Sequence, residues 1–221
     1  QAVCAGGFTT DINFTSSNTV GTTTYSWTND NPSTGLAASG TGNIIAFEGL
    51  NTTLAPIQST ITVTPELTFN GNTCEGPSET FTITVNPTLD LVPTVDQFVC
   101  DAERTTPITF NLNNTGGGTV SYTWTNDNPS IGLASSGSTG NILDFDAINT
   151  GSTLQTATIS VTASYTNAGT TCETTDTFTI TVSPSPVATI TGATNIVVCQ
   201  GATDPTITFE GSNGTAPYTF T

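Results

Sequence analysis

The sequence predicts an all-β chain built as tandem antiparallel β-sandwiches, and three observations carry that prediction. Apolar and polar residues alternate with period two in runs such as Thr60-Ile-Thr-Val63 and Phe178-Thr-Ile-Thr-Val182, the spacing at which one face of a strand is buried and the other is wetted. Thr, whose β-branched side chain suits a half-solvated pleated surface, supplies 52 of the 221 residues. No stretch sustains a 3.6-residue apolar period, and Gly, Pro and pairs such as Asn70-Gly71 punctuate the chain at turn spacing. A disordered Thr- and Asn-rich tract would lack the alternation.

Self-comparison shows a tandem array. Tyr25-Ser-Trp27-Thr-Asn-Asp30-Asn-Pro32 returns as Tyr122-Thr-Trp124-Thr-Asn-Asp127-Asn-Pro129, 97 residues on. Between residues 25–51 and 122–149, with one insertion, 19 of 27 positions are identical. Phe81-Thr-Ile-Thr-Val85 recurs unchanged as Phe178-Thr-Ile-Thr-Val182, and Val3-Cys4, Val99-Cys100 and Val198-Cys199 open three units. The third is cut short soon after Pro217-Tyr-Thr-Phe220, where the other two carry Tyr-x-Trp. With no initiator Met, the chain reads as a segment of a longer one.

Taken in order, the first unit predicts strands at 8–14, 22–28, 43–47, 59–69 with a break at Pro65, and 80–85. The second predicts them at 108–112, 120–125, 141–145, 157–165 and 177–182. A unit of this length, with its short strands and a Trp near the third, has the size and pattern of an immunoglobulin-like sandwich. Residues 87–93 and 184–186, punctuated by Pro, read as short stiff linkers. The expected organisation is beads on a string: repeat one at 1–90, repeat two at 91–186, and the N-terminal part of repeat three at 187–221.

Composition removes whole classes of function. Arg104 is the one basic residue beside seventeen Asp and Glu, giving a formal charge of −16, and His and Lys are absent. Without His there is no Ser-His or Cys-His pair and no imidazole metal ligand. Without Lys there is no Schiff base or P-loop lysine, and one Arg cannot neutralise phosphates or anionic lipid. Catalysis, cofactor binding, nucleic acid and direct membrane insertion are therefore not expected. The carboxylates shared by both repeats are few, among them Glu48 with Asp146 and Glu75 with Glu173, which argues against a paired-carboxylate glycosidase. Acidity reads instead as a solvated, self-repelling surface.

The Tyr-x-Trp-Thr-Asn-Asp-Asn-Pro core, the Gly-Asn-Ile segments at 42–44 and 140–142, the Thr-Cys-Glu segments at 73–75 and 171–173, and the closing Phe-Thr-Ile-Thr-Val resemble the PKD-like repeats of very large cell-surface proteins in gliding bacteria of the Bacteroidetes type. The resemblance covers nearly all of the chain. It implies an immunoglobulin-like (PKD-like) fold, type IX secretion and a filamentous surface adhesin of gliding motility.

Five cysteines divide two, two and one among the units. By position Cys4 is expected to pair with Cys74 and Cys100 with Cys172, on the reasoning that the start of the first strand and the loop before the last lie at one end of a sandwich; the partner of Cys199 is missing from the fragment. Buried free thiols are the alternative, while the absence of any CxxC pair argues against a thiolate metal site. Disulfides would place the chain outside the cytoplasm. Trp27 and Trp124, with Tyr25 and Tyr122, read as structural core, the other reading being a sugar-stacking surface. Asp30 and Asp127 read as turn residues that cap their own backbone, or as Ca²⁺ ligands. A second Ca²⁺ candidate is the first junction, with Asp90, Asp96, Asp101 and Glu103.

These readings lead to the expectation of a non-enzymatic structural segment of a long extracellular surface adhesin, with adjacent repeats of the same chain as its partners. The surface anchor and adhesive target are not legible. The alternatives are a ligand-binding accessory module of a secreted hydrolase, or a sheath or surface-layer subunit.

Overall fold

A computed structural model describes residues 1–138, 140–191, 197, 199–201 and 206–213; Pro217-Tyr-Thr-Phe220 lies outside them. Among the described residues the chain is all-β and holds no α-helix. The first repeat contributes β1 (Ala2–Cys4), β2 (Thr22–Asn29), β3 (Ser39–Thr41), β4 (Ile57–Phe69), β5 (Asn72–Glu75) and β6 (Glu79–Asn86). They form one sheet in the order β1-β6-β4-β2-β3, with β5 paired to β4. The second contributes β7 (Gln97–Cys100), β8 (Thr119–Asn126), β9 (Ser136–Gly137), β10 (Gln155–Asn167) and β11 (Thr170–Ser183), in the equivalent order β7-β11-β10-β8-β9. β12 (Val187–Thr191) and β13 (Thr208–Ser212) pair as an antiparallel ribbon.

The long strands follow from sequence alternation. In β10 the burial pattern alternates along the strand, with Ala157, Ile159, Val161, Ala163 and Tyr165 on the inward face. In the first repeat Trp27, Leu36, Ile44, Ile61, Val63 and Ile83 form the core, against which Ile12, Phe14, Tyr25, Phe47 and Phe81 pack. Burying such side chains stabilises by about 1.5–3 kcal/mol each. Ile12 and Phe47 come from segments 8–14 and 43–47, which supply the layer facing the sheet. That layer is irregular: its segments meet at the isolated antiparallel bridges Phe8–Glu48 and Ile12–Ile44, matched by Arg104–Asp146 and Ile108–Ile142 in the second repeat. The sandwich therefore has one regular face and one built of bridges, where regular strands were expected.

Three further expectations are corrected. The sheets are mixed, not wholly antiparallel, because the edge strands β1 and β7 run parallel to β6 and β11. β4 runs unbroken through Pro65, which pairs with Tyr25 of β2. On its other side β4 leaves β6 after Val63–Glu79 and meets β5 from Glu66–Glu75. Pro65 falls in that gap, where its missing N–H interrupts no ladder bond. The linker 87–93 is not a free spacer: Leu89 is buried, and Leu91 forms a bridge with Leu112.

The chain divides into two compact units that do not follow the repeat boundaries. The first comprises Gln1–Val92, Asn111–Ser121 and Thr162–Thr175; the second comprises Pro93–Phe110, Tyr122–Val161 and Asp176–Thr221. The first unit thus holds the whole first repeat together with a loop and the β10–β11 hairpin tip of the second. That tip turns at Ala168 (φ 49°) and Gly169 (φ 77°), as β4 and β5 turn at Asn70 (φ 50°) and Gly71 (φ 79°). Two successive positive φ values are the geometry of the tight hairpin turn whose twist matches the flanking strands.

Candidate functional site

The parallel pairing of β1 decides which cysteines can meet. Cys4 is in register with Asn86, so it lies where β6 ends. Cys74 is opposite Leu67 in β5, before the start of β6 at Glu79, and the length of β6 between them is roughly 25 Å at strand rise. The expected Cys4–Cys74 bridge is therefore replaced: Cys4 is bonded to Cys172, with Cα atoms 5.8 Å apart. Cys100 is in register with Ser183 at the far end of β11 from Cys172, so the expected Cys100–Cys172 bridge fails for the same reason. Cys74, Cys100 and Cys199 are free and exposed.

The bridge sits on a small core of its own within the first unit. Leu89, Tyr165 and Cys172 are buried together, with Cys4 and Leu112 packed against them. Polar contacts surround this cluster. The Thr170 hydroxyl donates to the Ala2 carbonyl at 3.0 Å. Asn86 and Asn167 exchange two hydrogen bonds: Asn167 Nδ2 donates to Asn86 Oδ1 at 2.9 Å, and Asn86 Nδ2 donates to the Asn167 carbonyl at 3.2 Å. The Thr115 amide donates to the Leu54 carbonyl at 2.8 Å, and Asn114 Nδ2 to the Thr88 carbonyl at 2.9 Å. Gly118 lies against the Tyr165 ring, where a Cβ would overlap it. Two parts of the second-repeat sequence, the loop Asn111–Ser121 and the β10–β11 hairpin tip, thus cap the end of the first sheet, and the disulfide fixes that cap covalently.

Sequence reasoning did not find Leu89, Leu112, Asn86, Asn167, Tyr165 or Thr170. One signal was available: Cys74 and Cys172 each follow a two-residue turn by three residues, which places both at hairpin tips. Cys4 and Cys100, by contrast, close short edge strands.

Trp27 and Trp124 are each 7% exposed, and Tyr25 packs against the first core. Phe14 joins Tyr25 (ring centroids 5.5 Å) to Phe81, as Phe110 joins Tyr122 (5.9 Å) to Phe178. Gly40 and Gly137 stand opposite Trp27 and Trp124 in the ladder, and a Cβ at either would overlap the indole.

The Asn-Asp-Asn-Pro segments are turns. Asp30 Oδ1 accepts from the Thr60 amide and Asp127 Oδ1 from the Thr158 amide, both at 2.7 Å. Asn29 and Asn126 accept from the amides of Asn31 and Asn128, and single 3-10 turns follow at Pro32–Thr34 and Pro129–Ile131. The junction carboxylates are separately engaged. Asp90 accepts from Asn113 Nδ2, Asp96 from the Thr179 amide and Glu103 from the Cys100 amide. Asp101 accepts from the Asn149 amide and the Ser185 hydroxyl, which hold its carboxyl below the ordinary value. Asp144 is lowered chiefly by its hydrogen bond from Arg104. Among the described residues no group of three or more carboxylates or thiols converges to hold a metal ion.

The first unit also carries a groove of about 750 Å³ whose lining includes Phe14, Tyr25, Pro65, Leu67, Glu75 and Glu79.

No family model and no curated protein matches the chain. Among solved structures it is similar to the first three extracellular repeats of Drosophila N-cadherin, with a TM-score of 0.33 and 13% identity over 83% of this chain. It spans 64% of the length of that fragment. It is also similar to domains 4 and 5 of the S-layer protein SbsC, with a TM-score of 0.26 and 13% identity over 72% of this chain and 70% of that one.

Proposed function

We propose that this chain is a non-enzymatic repeat segment of a long extracellular filament, and that it extends the filament and passes tension from one repeat to the next. The single observation that carries this reading is the Cys4–Cys172 bridge. It joins the first edge strand of one repeat to the hairpin tip of the following one, so a pull along the chain passes covalently from β1 into β11 and leaves residues 5–171 out of the loaded path. Such bonds persist in oxidising surroundings, which supports the cell surface or medium as its location. The −16 charge keeps neighbouring fibres apart and discourages pairing of exposed sheet edges. On the resemblance of its repeats, the filament is a surface adhesin of a gliding bacterium, exported by type IX secretion.

Force–extension measurement on the chain held at its two ends tests this reading. In the oxidised chain residues 5–171 are locked behind the bridge, so reductant adds roughly 550–600 Å of releasable length. Equal extension with and without reductant would remove the proposal.

A second reading, a ligand-binding accessory module of a secreted hydrolase, is favoured by the groove at Phe14 and Tyr25. A glycan array separates the two, since a spacer binds nothing on it.

A further inference from the structure

The three free thiols are not alike, and two of them occupy the positions at which the existing bridge is made. Cys100 ends β7 in register with Ser183 of the last strand, as Cys4 ends β1 in register with Asn86. Cys74 follows the Asn70-Gly71 turn in the first hairpin, as Cys172 follows Ala168-Gly169 in the second. We infer that Cys100 and Cys74 are the two halves of the same staple, and that the end of the second repeat takes the β4–β5 hairpin of a second copy of this repeat.

The surfaces beside the two thiols fit each other. Beside Ser183, the register partner of Cys100, a cleft of about 550 Å³ is lined by Phe98, Leu154, Ser183 and Pro184, with Asn213 at its edge, and Phe98 is 67% and Leu154 56% exposed. The equivalent positions in the first unit are Ala2, Pro56, Asn86 and Pro87. There Ala2 and Asn86 bond to Thr170 and Asn167 of the hairpin, and Pro56 lies against Gly116. At the other end Phe69, 49% exposed beside Cys74 in the first hairpin, takes the place of Asn167. The polar Asn86–Asn167 pair of the existing junction is replaced by Phe69 over Ser183, with Phe98 and Leu154 supplying the apolar surface beside it. Asn72 stands where Thr170 donates to the edge-strand carbonyl.

The bond forms by thiol–disulfide exchange. The two thiols become one disulfide, and their two electrons and two protons pass to a small-molecule disulfide such as glutathione disulfide, which leaves as two glutathione thiols. The linkage depends on repeat geometry and is read without load, so its failure is separate from failure of the tension-bearing reading.

The test uses the 221-residue chain carrying Cys199→Ser, combined with Cys74→Ser in one sample and Cys100→Ser in another. All three positions are exposed and outside the existing bridge. In a glutathione redox buffer each sample alone is expected to stay monomeric. Mixed one to one, they are expected to give a disulfide dimer in which peptide mapping links Cys74 to Cys100. A mixture that stays monomeric, or like-with-like dimers of either variant alone, overturns the inference.

Discussion

Asn51 and Asn149 hold corresponding loops closed through hydrogen bonds that no other side chain of that size could make together. Asn51 Nδ2 donates to the carbonyls of Ala55 and Val85, both at 2.8 Å, while its Oδ1 accepts from the Thr53 amide. Asn149 repeats this with Thr153, Val182 and Gly151. Asn149→Ala strands two carbonyls at a buried position and is expected to cost about 2–4 kcal/mol in urea unfolding. Gly40→Ala forces a methyl into the Trp27 indole and is expected to cost about 1–3 kcal/mol and to alter the near-ultraviolet dichroism of the Trp. The depressed carboxyls set a pH dependence. Asp101 titrates below its ordinary 3.8 when folded, so its contribution is present above that value and is lost as pH falls through the lower folded one. The gap in urea midpoint between the parent and Asp101→Ala is expected to narrow as pH is taken from neutral to below 3.8; a constant gap would contradict the hydrogen-bonding assigned to Asp101. The Asn pair was not legible in the sequence because Asn reads there as a generic loop residue. The role of Trp27 was legible, because one large aromatic on an alternating strand has little choice but the core.

At the scale of elements, the sequence announced what was long and concealed what was short. β2, β4, β6, β8, β10 and β11 each span eight or more residues, enough for period-two alternation to show. β1, β3, β7 and β9 span two to four and carry no readable period. The mistaken cysteine pairing follows from this. It required knowing the direction of a three-residue edge strand, and a parallel β1 puts Cys4 at the opposite end from Cys74. The irregular layer was misread because Phe8, Ile12 and Phe14 alternate like a strand although their backbone meets its partner only at bridges. The hairpin tip is the element on which the junction turns. Cys4→Ser, which leaves both sheets intact, is expected to lower the stability of the capped first unit by about 2–5 kcal/mol in the oxidised chain, and to change nothing once reductant is present.

At the scale of the whole molecule the repeat is a unit of sequence, whereas the first compact unit is a repeat plus a cap that the next one provides. Repeat boundaries read from sequence cannot reveal this, because the cap contacts join residues up to 168 positions apart, and the residues that make them differ between repeats: Tyr165 stands where the first repeat has Leu67, and Asn167 where it has Phe69. The composition foretold that cysteine would be the covalent staple, and the sequence placed that staple within each repeat, not between them. With no Lys for isopeptide bonds, cysteine is the covalent link available to this chain, and the structure spends it between successive repeats. The most direct measurement uses that composition. In a chain with Cys74, Cys100 and Cys199 all replaced by Ser, trypsin has its single site at Arg104, which lies between Cys4 and Cys172. With Cys4 bonded to Cys172, the cleaved, oxidised chain is expected to run as one species of full mass until reductant separates two fragments. Two fragments with free thiols before any reductant is added would contradict it.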